Sequence, residues 1–347
     1  MPDNRPSLPL RSFAISVTCA VGLVGTLSCH STAPSYIVVD AARAAPAATR
    51  PVVDAGAGDT VVNAHFHNVH FHMWPGVALD LEDLIGRMRS TRLDRVVSFD
   101  DKTSFVLAID SGTVGLDAND LARLMNTYVF AYRGAPLRDL SFAVEGPHLV
   151  QRGILHKVVD IPFEMVAEVN ATPQGEIRVH PVSMKICSIP GQGLMEALGI
   201  TLEKLLDVHE AKGVRVAGND MFLDPTRLLP PPAIAGHLTS VRVAPGKLVQ
   251  FFGSAPGSVA RIMTVEPDTA APNYMMFRGG TLQFGKLFMV HAEMQVIDLA
   301  PSDAFDFDIG RYHEQLVAGF HRTLPNDGLL VFMPDLRTLP EQALSKR

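Results

Sequence analysis

Cysteine is scarce, with three residues in 347. Two of them, Cys19 and Cys29, fall within the first 29 positions. If that segment is removed and Cys29 carries lipid, Cys187 stands alone and an internal disulfide is excluded. Stability must then come from packing. Positive charge is also limited, 30 Lys and Arg against 36 Asp and Glu. No basic run or aromatic-spaced basic stripe is present to track a phosphate backbone, so nucleic acid is not an expected partner.

Familiar catalytic signatures are missing as well. The stretch "GSAPGS" at 253–258 lacks the spacing of a G-x-S-x-G nucleophile elbow and lies among chain breakers. "HEQLVAGFH" at 313–321 opens like a zincin helix but has Val317 where a second histidine must share a face with His313. In "GQGLMEALG", Met195 and Glu196 stand where a dinucleotide fingerprint needs its third glycine. Asp100, Asp101, Asp110, Glu164 and Glu168 read as solvated surface carboxylates. The expectation is a binding protein, not an enzyme, with no cofactor.

The N-terminus carries the clearest positive signal. Arg5 and Arg11 precede the uncharged stretch "SFAISVTCAVGLVGTLSC", which ends in small residues at Cys29. That is the architecture of an export signal, and it is short for a span that needs about 20 apolar residues. "TLSC" resembles the lipobox of bacterial lipoproteins, with Thr26 where that family prefers Leu. The resemblance implies lipidation at Cys29, membrane attachment through the acylated N-terminus, and, with His30 and not Asp following, an outer-membrane location facing the periplasm.

Residues 30–60 are dominated by Ala, Pro, Thr and Gly and read as a tether. From Val61 onward the texture is alternating and strand-like, as in "VALDLEDLIGRM", "SFVLAIDSGTVGLD", "FEMVAEVNA", "EIRVHPVSMKIC" and "TLQFGKLFMVHAEMQVIDL". "NATPQGE" and "APGK" separate strand pairs as hairpin turns do. Helices are fewer. Asp117 is a plausible cap for a helix over 118–130, the segment around 191–208 reads as one or two short helices, and Ile309, Tyr312, Leu316 and Phe320 share a helical face. The fold class expected is α+β. Boundaries fall at 1–29 for the signal, 30–60 for the tether, 61–254 for the main domain, 255–275 for a linker, 276–336 for a C-terminal strand-helix-strand unit, and 337–347 for a tail.

"AHFHNVHFHMW" at 64–74 holds His65, His67, His70 and His72, which are the candidate metal ligands. "VVNAHFHN" is similar to the opening strand of metal-dependent amidohydrolases, but the alternating helices of a (β/α)8 barrel are missing. In a regular strand His65 and His67 face one side, and His70 and His72 the other. A bulge at Asn68–Val69 would instead gather all four on one face and leave Phe66, Val69, Phe71 and Met73 on the opposite one. Plain histidines on a strand are the alternative, since a built metal site also needs a carboxylate or carbonyl orienting each ring.

Fourteen methionines, many in or beside strands, offer either soft apolar ligand surfaces or plain core filling. Residues 96–253 resemble the LmeA-like phospholipid-binding proteins, relatives of the tubular lipid-binding (TULIP) fold. The resemblance rests on "FEMVAEVNATPQGEIRVHPVSMKI", the following "IPGQGLMEALGITLEKLLD", and "GHLTSVRVAPGKLVQFFG". It implies a long, curled antiparallel sheet wrapped around a helix, and a phospholipid or similar amphiphile as partner. Phe105, Leu107, Leu121, Met125, Met184, Ile186 and Leu198 are the expected lining of the groove. The competing readings are an envelope scaffold that docks another protein and a metal-dependent hydrolase using His65 and His67.

Overall fold

In the computed structural model, residues 61–92, 95–157, 159–186, 189–190, 201–257 and 265–339 are described. The expectations for the signal, Cys29, the tether, Cys187 and Leu198 lie outside these residues.

The described residues open on a long hairpin, β1 (Val61–Trp74) and β2 (Val77–Ser90), turning at Pro75-Gly76. Gly76 sits at φ 68°, a conformation glycine adopts without a Cβ penalty. There follow β3 (Val97–Ser98), β4 (Phe105–Asp117), and α1 (Ala118–Leu124), which continues as a π turn over Met125–Val129. Asp117 caps α1 by accepting from the Asn119 backbone N–H. The helix also clamps the first hairpin: Asp120 accepts from the Ala78 N–H, and Arg123 donates to the Gly76 carbonyl.

Four strands then run as a meander, β5 (Leu137–Glu145), β6 (His148–His156), β7 (Asp160–Ala171) and β8 (Ile177–Ile186), with β9 (Ile189–Pro190) beside β8. After α2 (Leu202–Leu205) come β10 (Val214–Ala217), β11 (Asp220–Leu223), α3 (Pro225–Leu228), β12 (Ala233–Ala235), and the hairpin of β13 (His237–Ala244) with β14 (Lys247–Gly253). The C-terminal stretch supplies the hairpin of β15 (Tyr274–Phe284) with β16 (Leu287–Asp298). It ends with β17 (Phe305–Asp308), α4 (Tyr312–Ala318), β18 (Phe320–Thr323), β19 (Leu329–Met333) and a 3-10 turn at Leu336–Thr338.

Two sheets result. The larger has 12 strands along the path β13-β14-β4-β2-β1-β15-β16-β19-β18, with β12, β17 and β3 filling spare stretches of edge; the smaller has 7, β10-β11-β8-β7-β6-β5 with β9. The α+β class is as expected, with strands dominating. A wholly antiparallel sheet is not: β17 runs parallel to β1, β3 to β15, β12 to β4, and β19 to β16. The cause is edge sharing. β1 is longer than the stretch β15 covers, so β15 serves Asn63–His67 and β17 takes over at Val69–His72.

Residues 276–336 are likewise not an appended unit, because β15 is the direct neighbour of β1 in the large sheet. The expected linker also contributes packing, with Val265 and Asn273 buried. The helix expected to reach Phe320 ends at Ala318; Phe320 begins β18 and is exposed, while Ile309 and Tyr312 are buried.

The core behind the hairpin is aromatic. Phe66, Phe71, Phe99, Phe277, Phe284, Phe307 and Tyr312 meet with ring centroids 4.5–6.3 Å apart. Met73, Met88, Met275 and Met294 fill the gaps and are almost fully buried, the core-filling role of methionine.

Asn68 is the special residue of β1. It adopts φ 52°, and its side-chain amide donates to Asn273 Oδ1 at 2.5 Å. Asn tolerates the left-handed region better than branched residues do. Asn68→Val is expected to cost about 2–3 kcal/mol, roughly 1–2 from the backbone and about 1 from the lost hydrogen bond. Asn68→Gly should lose only about 1 kcal/mol, the hydrogen-bond part. Urea unfolding of both variants checks this, and equal losses would contradict the backbone assignment.

Candidate functional site

The bulge at Asn68 decides how the histidine run is arranged. Burial alternates regularly up to Phe66, falters at His67-Asn68, and resumes in the opposite phase from Val69. Phe66, Val69, Phe71 and Met73 therefore point inward, and His65, His67, His70 and His72 all point to the outer face. β2 makes the same phase change opposite, at Glu82-Asp83, where its register against β4 slips. The two irregularities face each other, so the register between β1 and β2 survives, with His67 opposite Asp83 and His70 opposite Asp80. Cross-strand partners share a face, which puts both aspartates among the imidazoles.

Two clusters form. In the first, Asp83 Oδ1 lies 2.7 Å from His65 Nε2 and 3.3 Å from His67 Nδ1. The other nitrogen of His65, Nδ1, lies 3.0 Å from the Val265 carbonyl and 3.2 Å from the Tyr274 hydroxyl. Tyr274 stacks on His67 and meets His65 edge-on. In the second cluster, His70 Nδ1 is 2.7 Å from Asp80 Oδ1, and His72 Nε2 is 2.6 Å from Asp306 Oδ1. Lys247 donates to Asp80 at 2.7 Å, and the Arg337 N–H donates to Asp306 Oδ2 at 3.0 Å. The His70 and His72 rings meet edge to face at 4.8 Å. In each of the sets His65, His67, Asp83 and His70, His72, Asp306, one ligand atom per residue lies within 4.8 Å of the others.

Proton affinities reflect these contacts. The His70 hydrogen bond, opposed by burial and helped by Lys247, holds Asp80 down at about 2, and the same bond raises His70 above its ordinary value. Burial works to raise Asp83 and Asp306, but it is outweighed at Asp83 by the His65 and His67 contacts together, and at Asp306 by the His72 hydrogen bond together with the Arg337 backbone N–H and the nearby histidines, so both end lowered. Burial pushes the Tyr274 hydroxyl up to about 12, with Asp83 and Glu266 adding to the effect.

Asp80, Asp83, Tyr274, Lys247 and Asp306 were not singled out by sequence reasoning. For the two hairpin aspartates a signal existed. "DLED" repeats across a two-residue turn the i,i+3 spacing of His67 and His70, a spacing that shares a face only if both strands bulge. Tyr274 and Asp306 arrive from some 200 residues away and leave no local signature.

The lipid-groove residues do not form one lining. Phe105 and Leu107 border a cavity of about 50 Å3 on the inner face of the large sheet, between the hairpin core and the segment carrying Leu229, Pro232 and Ile234. Of its 17 lining residues only Gln250 is polar. Met184 and Ile186 border a second cavity, about 30 Å3, on the smaller sheet beside α2, where Gln151 is the one polar member. Leu121 and Met125 are packed in the core and border neither. The single groove lined by all of them is thus corrected: β4 and β8 belong to different sheets.

These features define a strand-dominated α+β protein with a polar histidine face and two apolar cavities. No family model matches the chain, and neither a curated protein nor a solved structure matches it. Among the described residues no helix is long and apolar enough to cross a membrane, which leaves strand-built spans unaddressed.

The Asp80–His70 pair gives a pH signature in chelator-treated protein. Asp80, depressed to about 2, contributes stability above its ordinary value of 3.8 and loses it as pH falls toward 2. His70, raised, contributes fully below its ordinary 6.5 and loses it as pH rises through the elevated value. Both contributions are present between about pH 4 and 6.5. His70→Gln should therefore lose about 1–2 kcal/mol at pH 5 and less at pH 8.5, allowing for solvent screening. Urea unfolding at the two pH values checks this; an equal loss at both would refute the pairing as the cause.

Proposed function

We propose that the protein binds an alkyl chain of a phospholipid or similar amphiphile in the apolar cavity of its large sheet, without catalysing a reaction. The observation that carries this reading is the cavity bordered by Phe105, Leu107, Phe252 and Ile234, with a single polar residue in its wall. Well-packed cores leave few voids, and an apolar void stays dry, so methylenes entering it gain contacts that its walls lack. Each buried methylene contributes about 0.8 kcal/mol. Part of its cover is a short element. β12 pairs with β4 over only Ala233–Ala235, so Leu229, Pro232 and Ile234 sit on a strap held by a three-residue ladder. A chain longer than the resting cavity is accommodated when this strap lifts.

The resemblance of residues 96–253 to LmeA-like and tubular lipid-binding proteins supports the same substrate class. Acylation at Cys29 would hold the body beside its lipid source, on the periplasmic side of an outer membrane. Binding at the large sheet predicts that Leu107→Trp, which fills the cavity, lowers uptake of a fluorescent phospholipid about tenfold, the equivalent of some two lost methylenes. Met184→Trp, in the other sheet, should leave uptake unchanged. Native mass spectrometry of gently purified protein should show bound lipid, and a lipid-free chain that takes up no probe would overturn the reading. Labelled palmitate fed to the expressing bacterium should enter the wild type and not Cys29→Ala.

A further inference from the structure

We propose that the outer face of the β1–β2 hairpin is a two-site binding surface for divalent transition-metal ions of the Zn2+ class. The first site is His65, His67 and Asp83; the second is His70, His72 and Asp306. This inference is independent of the lipid reading, since the histidines and the large-sheet cavity lie on opposite faces of β1.

Three observations carry it. The paired bulges at Asn68 and Glu82 convert a strand that would divide its histidines between two faces into one that presents all four together, with aspartates opposite. On that one solvent-facing side two imidazoles and one carboxylate converge twice, a donor set suited to zinc, nickel, cobalt or copper and not to the all-oxygen shells that magnesium and calcium prefer.

The second observation is that one ring in each site, His65 and His70, is oriented from behind. Metal-bound histidine ordinarily gives its other ring N–H to a carbonyl or carboxylate, which sets the tautomer and directs the lone pair. His65 has the Val265 carbonyl at Nδ1 and turns Nε2 toward Asp83. His70 has Asp80 at Nδ1, and Asp80 is itself braced by Lys247, which leaves Nε2 as the nitrogen available for a ligand bond.

The third observation concerns acceptors. The Val265 carbonyl and the Asp83 carboxylate both only accept, and His65 stands between them at 3.0 and 2.7 Å. An imidazole with one N–H satisfies one of these contacts, and the other is met by a second proton or by a cation bound between Nε2 and the carboxylate.

The two sites differ in preparation. The Asp83 side chain is 57% exposed, and Asp306 only 7%, with both of its oxygens engaged. The second site therefore loses less side-chain freedom on binding and takes the metal first. Three protein ligands leave coordination positions for water or a ligand atom from outside, as in open metal sites.

The test uses untagged, chelator-stripped protein titrated with Zn2+ and with Co2+, whose visible spectrum reports coordination. Two equivalents per chain are expected to survive desalting. His70→Ala with His72→Ala should remove the tighter equivalent, and His65→Ala with His67→Ala the weaker one. Asp80→Asn should leave two equivalents but weaken the tighter one roughly 10- to 100-fold, the effect of losing an orienting partner. A readout that needs no variant is protection of the wild-type histidines from carbethoxylation, followed by peptide mass spectrometry. Zn2+ should protect His65, His67, His70 and His72 and leave the exposed His156 and His209 as reactive as before. Failure to retain metal, or protection spread evenly over all the histidines, overturns the proposal.

Discussion

One residue in the left-handed region organises the protein's most distinctive surface. A strand has a side-chain period of two, so an unbroken β1 would both bury half of the histidines in this run and expose one of its two phenylalanines. Asn68 at φ 52° resets the phase once, and the burial pattern on either side of it becomes compatible with a single apolar inner face. The same reset in β2 at Glu82 keeps the ladder between the two strands intact and carries Asp80 and Asp83 to the outer face. It also marks where β1 changes its neighbour, from β15 before Asn68 to β17 after it. The side chain of Asn68 is held by Asn273, which in turn donates to Asp298, so the junction of β1, β15 and β16 is tied together by amides and a buried carboxylate.

That junction divides the labour of the large sheet. Inward, it supports an aromatic and methionine core dense enough to leave only a small apolar void, the feature on which the amphiphile proposal rests. Outward, it displays imidazoles and carboxylates whose alternative arrangement, two and two, would turn one histidine pair into the apolar core. The two proposed binding modes thus draw on one geometric device while using opposite faces of the same strand, and neither requires the other.

Much of the fold was legible because strands and turns have local causes. Alternation located β2, β4, β7, β8 and β16, the turn residues separated β7 from β8 and β13 from β14, and Asp117 marked the start of α1. The methionines read equally well as ligand surface or filler, and Met275 and Met294 turned out to be filler. Sheet membership was not legible, because it depends on which strand supplies a free edge. That is why Phe105 and Met184, alike in pattern, border different cavities, and why the C-terminal strands lie beside β1 instead of forming a unit of their own.

The amino-acid sequence by itself determined that the body is strand-rich, that histidines are concentrated between Ala64 and Trp74, and that a bulge at Asn68–Val69 was one of two ways to arrange them. Only the tertiary structure chose between those ways, because the choice is made by burying Phe66, Val69, Phe71 and Met73 together against residues such as Phe277 and Phe307, more than 200 positions distant. Asp306 and the Val265 carbonyl reach the histidines by the same route. A local period sets what each residue is able to face, and long-range packing decides which face becomes the inside.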